Sequence, residues 1–177
     1  MQTPPAPDSS GDAVDRIREE WMRLRPELDT SVLEVVGRVL RSAGVITRRG
    51  DEFLTRFGLT RGEFDLLAAL RRSGEPQSPG ALRTVSAATG PAITKRLRSL
   101  EERSLIRRSP NPSDGRGALV RLSAEGAALI DDVFPRLLEL ERELVGGISS
   151  ERIADIAASL REVLASVEGA GRSQTTE

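Results

Sequence analysis

The 177-residue chain contains no cysteine, no histidine and no tyrosine. Without cysteine there is no disulfide framework, thiolate metal centre, cysteine nucleophile or thiol redox sensor. Without histidine or tyrosine the commonest general base, the commonest metal ligand and the phenolic acid are gone too. Aromatic residues amount to 3% and hydrophobic residues to 38%, against 30% charged. A core must therefore be assembled from Leu, Val, Ile and Ala, which favours helices over a β-sandwich. No apolar run approaches the roughly 18 residues of a membrane span, and no charged-then-apolar leader opens the chain. We expect one domain of ordinary size with tails, cytoplasmic, without metal or cofactor, and not an enzyme.

The net charge of −1 hides a strong segregation. Residues 1–34 hold four Arg against eight acids, and residues 122–177 hold five Arg against eleven acids. Residues 35–88 hold nine basic against five acidic side chains, and residues 89–121 hold eight against three. The ends thus total −10 and the middle +9. A basic centre between acidic flanks is the layout of an embedded nucleic-acid-binding module. The alternative is that the arginines merely solvate helix faces. Lys95 is the single lysine.

Residues 1–12, MQTPPAPDSSGD, and residues 169–177, GAGRSQTTE, lack an apolar pattern and predict disordered tails. A short helix is predicted over 13–24, with Val14, Ile17, Trp21 and Leu24 on one face and Pro26 beyond its end. Thr30 or Ser31 can cap a longer helix to about Phe57, with Leu33, Val36, Leu40, Ala43, Phe53 and Phe57 at helical spacing and Gly58 as its stop. The RGD tripeptide, Arg49 to Asp51, falls on that helix and reads as surface. Thr60 and Glu63 form a capping box for the helix of Phe64, Leu67, Ala68 and Leu70, which Gly74 and Pro76 close. Ser78-Pro79 starts a short helix to about Val85. After a turn at Ser86–Ala88, Thr89 can cap a helix to about Glu102 that turns Ile93, Leu97 and Leu100 inward.

Leu105–Ser109 and Ala118–Leu122 are short strand candidates separated by PNPSDGRG, a dense turn signal. Two strands so joined, directly after a helix-turn-helix, make a β-wing. Ser123 caps the next helix, whose stripe is Leu129, Val133, Leu137, Leu140 and Leu144, and Pro135 should kink or split it. Gly146-Gly147 ends it, and Ser149 or Ser150 begins a last helix with Ile153, Ile156, Leu160, Val163, Leu164 and Val167. The terminal helices carry more apolar surface than a small winged module covers, so a two-fold dimer burying them together is expected.

The segment 89–126, TGPAITKRLRSLEERSLIRRSPNPSDGRGALVRLSAEG, resembles the MarR (multiple-antibiotic-resistance regulator) family of bacterial transcription factors. Thr94-x-Arg96, Leu100-Glu101, Leu105-Ile106-x-Arg108, Asp114-x-Arg116 and Leu122-Ser123-x-Glu125-Gly126 carry the likeness by their order and spacing. It extends less specifically over about residues 14–168. Ser104 stands where the family usually has Gly, and Ser99 where Arg is common. The first asks a turn to form without glycine, and by the family pattern the second would remove one phosphate contact.

The resemblance implies a mainly α fold with a small β-wing (α+β), a winged helix-turn-helix within a helical dimerisation frame. The parts would be N-terminal dimerisation helices over 13–57, the winged module over 58–123 and C-terminal dimerisation helices over 124–168. It implies a recognition helix that reads double-stranded DNA at a pseudo-palindromic operator, with the protein a homodimer. Thr89, Pro91, Thr94, Lys95 and Arg98 would face the major groove, where such side chains bond base edges and phosphates. Asp114 would orient Arg116, which would enter the minor groove.

Members of the family often release DNA on binding a small anionic or aromatic effector. A urate-responsive subset has an extra N-terminal helix and uses a Trp, an Asp and two Arg. This chain has that helix, with Trp21 on it and the run RPELD after it, together with Asp65, Arg96 and Arg108. Two guanidiniums suit a planar anion and an indole face covers its ring. The alternative is a core tryptophan and a buried ion pair. Two other functions stay open here: a winged helix that binds protein rather than DNA, and a hydrolase using carboxylates alone.

Overall fold

A computed structural model of the chain describes residues 11–86, 89–111 and 114–173. In chain order the elements are α1 (Ala13–Leu24), α2 (Leu33–Thr55), α3 (Arg61–Ser73), α4 (Pro79–Ser86), α5 (Gly90–Glu102), β1 (Ile106–Asn111), β2 (Asp114–Leu122), α6 (Ala124–Leu144) and α7 (Ser150–Ser173). The chain forms two compact units, residues 1–133 and 134–177, whose boundary falls within α6.

In the first unit, local chemistry sets most element ends. Asp12 caps α1 and forms a full capping box with Asp15, and Thr60 does the same for α3 with Glu63. Gly74 ends α3 in the left-handed region at φ 68°, a conformation glycine adopts without a Cβ penalty. The Oγ of Ser78 accepts from Ala81 N at 3.1 Å, at the start of α4. Leu54 of α2, Leu66 and Leu67 of α3, Leu82 of α4, and Ile93 and Leu97 of α5 are at most 2% exposed. β1 and β2 pair antiparallel from Ile106↔Leu122 to Asn111↔Asp114. Gln77, just before α4, exchanges both backbone bonds with Val120, N to O and O to N, at 2.8 Å each.

Several expectations need correction. Asp12 belongs to a helix cap rather than a tail, because its carboxylate is bound by two backbone N–H groups. Residues 169–173 continue α7, while the remaining tail residues 1–10 and 174–177 lie outside the described ones. Neither Thr30 nor Ser31 caps α2: its N-cap is Val32, without a side-chain bond, after a turn in which Asp29 Oδ1 accepts from Ser31 N at 2.9 Å. Thr89 is the N-cap of α5 by backbone geometry alone, its hydroxyl making no cap bond. Ser86 is still helical, and Ala87 and Ala88 lie outside the described residues. The strands extend into what the sequence presents as a turn, leaving only residues 112 and 113 between them. Pro135 does not split α6. It lacks one N–H, and both it and Asp131, whose carbonyl would have accepted that bond, are exposed to water.

The apolar stripe of α2 is covered only in part. Leu54 is fully buried and Leu33, Phe53 and Phe57 are half-buried, but Leu40 is 67% exposed, and Val36 and Ala43 are also exposed. On α1, Val14 is buried whereas Ile17, Trp21 and Leu24 are exposed. The RGD tripeptide is not wholly surface, since Gly50 is buried. In the second unit, α7 exposes Ile153, Ile156, Leu160, Leu164 and Val167 at helical spacing.

Candidate nucleic-acid interface

α5 is amphipathic by spacing. Ile93, Leu97 and Leu100 are at most 2% exposed, and Pro91, Thr94, Lys95 and Arg98 are exposed, as is Thr89 before it. Thr94 Oγ1 donates to Gly90 O at 3.1 Å, which leaves its oxygen able to accept a further bond. Arg98 Nε pairs with Glu102 at 2.8 Å, with both side chains more than 60% exposed. Such a pair contributes little and exchanges readily for another anion. Asp114 and Arg116 lie on β2, and their side chains fall outside the described ones. Further exposed arginines, marked by no motif, are Arg83 on α4, Arg107 on β1 and Arg121 on β2.

The back of α5 is tied to its neighbours by polar contacts. Ser99 Oγ donates to Glu63 Oε1 at 2.6 Å. Glu63 is 6% exposed. Burial opposes its charge, but bonds from Ser99 and from the Thr60 N–H and hydroxyl, with the nearby Arg103 cation, outweigh it and hold the carboxyl below its usual range. After α5, Ser104 takes φ 59°, the one non-glycine positive φ among the described residues. This turn does form without glycine, at a cost that glycine would not incur. Beyond the hairpin, Ser123 N donates to Leu105 O at 3.1 Å, and a Cβ on Gly126 would overlap that same carbonyl.

Of the four effector candidates, two come together. Asp65 is half-buried on α3, and burial raises its carboxyl above the usual range despite the cations of Arg61 and Arg96. The Arg96 guanidinium lies over Gly62, the residue where a Cβ would collide with it. Arg108 instead pairs with Glu101 at 3.0 Å and lines a recess with Ser104, Ile106, Arg107 and Glu125. Trp21 is 44% exposed on α1. Arg61 was not singled out from the sequence. It pairs with Asp51 at 3.3 Å, stacks 5.9 Å from the Phe64 ring centroid and covers Gly50. No spacing rule signals that arrangement, because it joins α2 to α3. Among the described residues no group of three potential metal ligands occurs.

Comparison with known proteins identifies this arrangement. The MarR family model matches residues 57–117, which hold α3, α4, α5, β1 and the start of β2. The chain is 34% identical over 152 residues to the HTH-type transcriptional regulator PecS of Dickeya dadantii, covering 85% of this chain and 92% of that one. The chain belongs to the MarR family. This family of transcriptional regulators also includes MarR of Salmonella typhimurium, 30% identical over 64% of this chain and 79% of that one. It includes among solved structures a mutant MarR from E. coli complexed with operator DNA, which aligns with TM-score 0.65 and 27% identity over 77% of this chain and 99% of that one. The winged helix expected from the sequence is thus the family fold, and the regulator that the resemblance implied is the family's class of protein.

Proposed function

We propose that this MarR-family protein is a homodimeric repressor that acts in the cytoplasm on double-stranded DNA. α5 enters the major groove with Thr89, Pro91, Thr94, Lys95 and Arg98, and the wing brings Asp114 and Arg116 to the adjacent minor groove. The observation that carries this reading is the division of α5 into a buried Ile93–Leu97–Leu100 edge and an exposed Thr94–Lys95–Arg98 edge, beside an antiparallel hairpin. Residues 13–57 and 124–168 serve as dimerisation helices and residues 58–123 as the winged module. The exposed apolar stripes of α1, α2 and α7 support that division. The operator is a pseudo-palindrome with half-sites about 10 bp apart.

A small anionic or aromatic effector, urate-like purines foremost, releases the DNA. The half-buried Asp65 beside Arg96 and the partly exposed indole of Trp21 support this. For Arg108 to join them, its pair with Glu101 must open.

A gel shift at stated salt, using the duplex upstream of the protein's own coding sequence and a scrambled duplex, tests the DNA reading. Preferential binding that weakens as salt rises is expected. Failure to bind either duplex, or equal binding to both, would overturn it.

A further inference from the structure

We infer that Glu63 is a positioning residue for DNA reading, fixing the setting of α5 against α3 through Ser99. The inference rests on the DNA-binding reading above.

A capping box requires only part of the glutamate. Glu63 Oε2 does that work, accepting from the Thr60 N–H and the Thr60 hydroxyl at 2.9 Å each. On an exposed helix the second oxygen would face water. Here it turns to the neighbouring helix and accepts from Ser99 Oγ at 2.6 Å. Arg103, the C-cap of α5, donates to Gly58 O at 2.8 Å and lies 3.9 Å from Glu63 Oε2. One buried carboxylate therefore joins the turn before α3, α3 itself and the far end of α5. A hydrogen bond to a buried charge is stronger than one between neutral groups, and it is costly to leave unmade.

The placement of Ser99 gives this tie its function. Ser99 directly follows Arg98 and stands one helical turn after Lys95, whose side chains are exposed on the proposed reading face. Any rotation of α5 that breaks the Ser99 bond also moves those two cations. Contacts to base edges need fixed geometry, whereas contacts to the phosphate chain tolerate displacement. Loss of the tie should thus cost selectivity before it costs affinity for DNA in general.

The test compares wild type, Ser99→Ala, Ser99→Thr and Glu63→Gln on the upstream and scrambled duplexes at matched salt, well below each variant's melting temperature. Ser99→Ala should reduce the ratio of upstream to scrambled affinity about tenfold, as expected for loss of a charge-assisted bond. Its scrambled-duplex affinity and salt slope should stay as in wild type. Ser99→Thr keeps the hydroxyl and should restore the ratio. In Glu63→Gln the amide can still accept from Thr60 and donate to Ser99, so that variant should also keep most of it. An Ser99→Ala protein that loses affinity equally for both duplexes, or keeps the wild-type ratio, would overturn the inference while leaving the DNA reading intact. A wild-type protein without preference for the upstream duplex would overturn both.

Discussion

The guanidinium of Arg61 lies directly against Gly50, filling the space a Cβ would need, so α2 and α3 meet through an arginine laid on bare backbone. Gly126 makes a similar approach, but to the Leu105 carbonyl rather than to a flexible side chain. The two glycines should therefore respond differently to alanine. In Gly50→Ala, Arg61 can swing out, losing a part-buried pair with Asp51 and its stacking on Phe64 while the helix gains about 1 kcal/mol in propensity; the melting temperature should hardly move. In Gly126→Ala two backbones must separate, and destabilisation by about 1–3 kcal/mol is expected. Thermal melts of the two variants decide it, and equal effects would refute the contrast.

α1 is fastened to α2 by charge. Arg38 bonds Asp12 at 2.8 Å, Asp15 at 2.7 Å and Glu34 at 3.0 Å, and Arg18 also pairs with Glu34. The N–H of Asp15 and the guanidinium hold Asp12 below its usual range, and the Arg38 bond does the same for Asp15. Both carboxyls are depressed on folding, so their stabilisation is complete above the ordinary aspartate value of 3.8 and lost as pH falls through their folded values. Amide exchange in residues 13–24 should accelerate on acidification below that range, and in Arg38→Ala it should already be fast at neutral pH. Unchanged protection in Arg38→Ala would show that burial of Val14 alone holds the helix.

On DNA, Lys95→Ala and Arg98→Ala should each lower affinity and flatten the salt slope by about one. Arg116→Ala should weaken binding without lowering the melting temperature. Titrations across a range of salt concentrations report both quantities, and unchanged affinity in all three variants would mean that another helix reads the groove.

The dimer should depend on α7. Leu160 is 46% exposed in the stripe from Ile153 to Val167. Leu160→Asp would bury a charge in the proposed two-fold interface, at a cost of several kcal/mol. Sedimentation at micromolar concentration should find the wild type dimeric and the variant monomeric. A monomeric wild type would refute the interface.

Trp21 is the only tryptophan, and its partial exposure makes it a direct reporter for an effector. Urate should quench its fluorescence and release DNA over one concentration range, provided the ligand favours the non-binding conformation. Arg96→Ala should lose both responses. Quenching without release would separate binding from regulation.

What the sequence reveals depends on the range of the interaction. The Thr60–Glu63 box, the Gly74 stop and the inward Ile93–Leu97–Leu100 edge are legible because their causes lie within one or two helical turns. The Asp12 cap is equally local, but it lies at the end of a Pro- and Ser-rich stretch that reads as tail. The Glu63–Ser99 bond spans 36 positions and depends on how α5 packs. Asp65 and Arg96 were paired by family resemblance, whereas Arg61, which shares their surroundings, has no motif to mark it. Arg108 pairs with Glu101 because the hairpin root brings it back to the end of α5, which composition does not encode.

The paired bonds between Gln77 and Val120 make the hairpin a lever clamped near its root. From Val120 out to Arg116 the strand extends about 13 Å at the usual rise per residue. A rotation of about 10° at the clamp would then carry the Cα of Arg116 sideways by roughly 2 Å, enough to enter or leave hydrogen-bonding range. Gln77 directly precedes the segment that starts α4, so a small reorientation there is amplified at the wing.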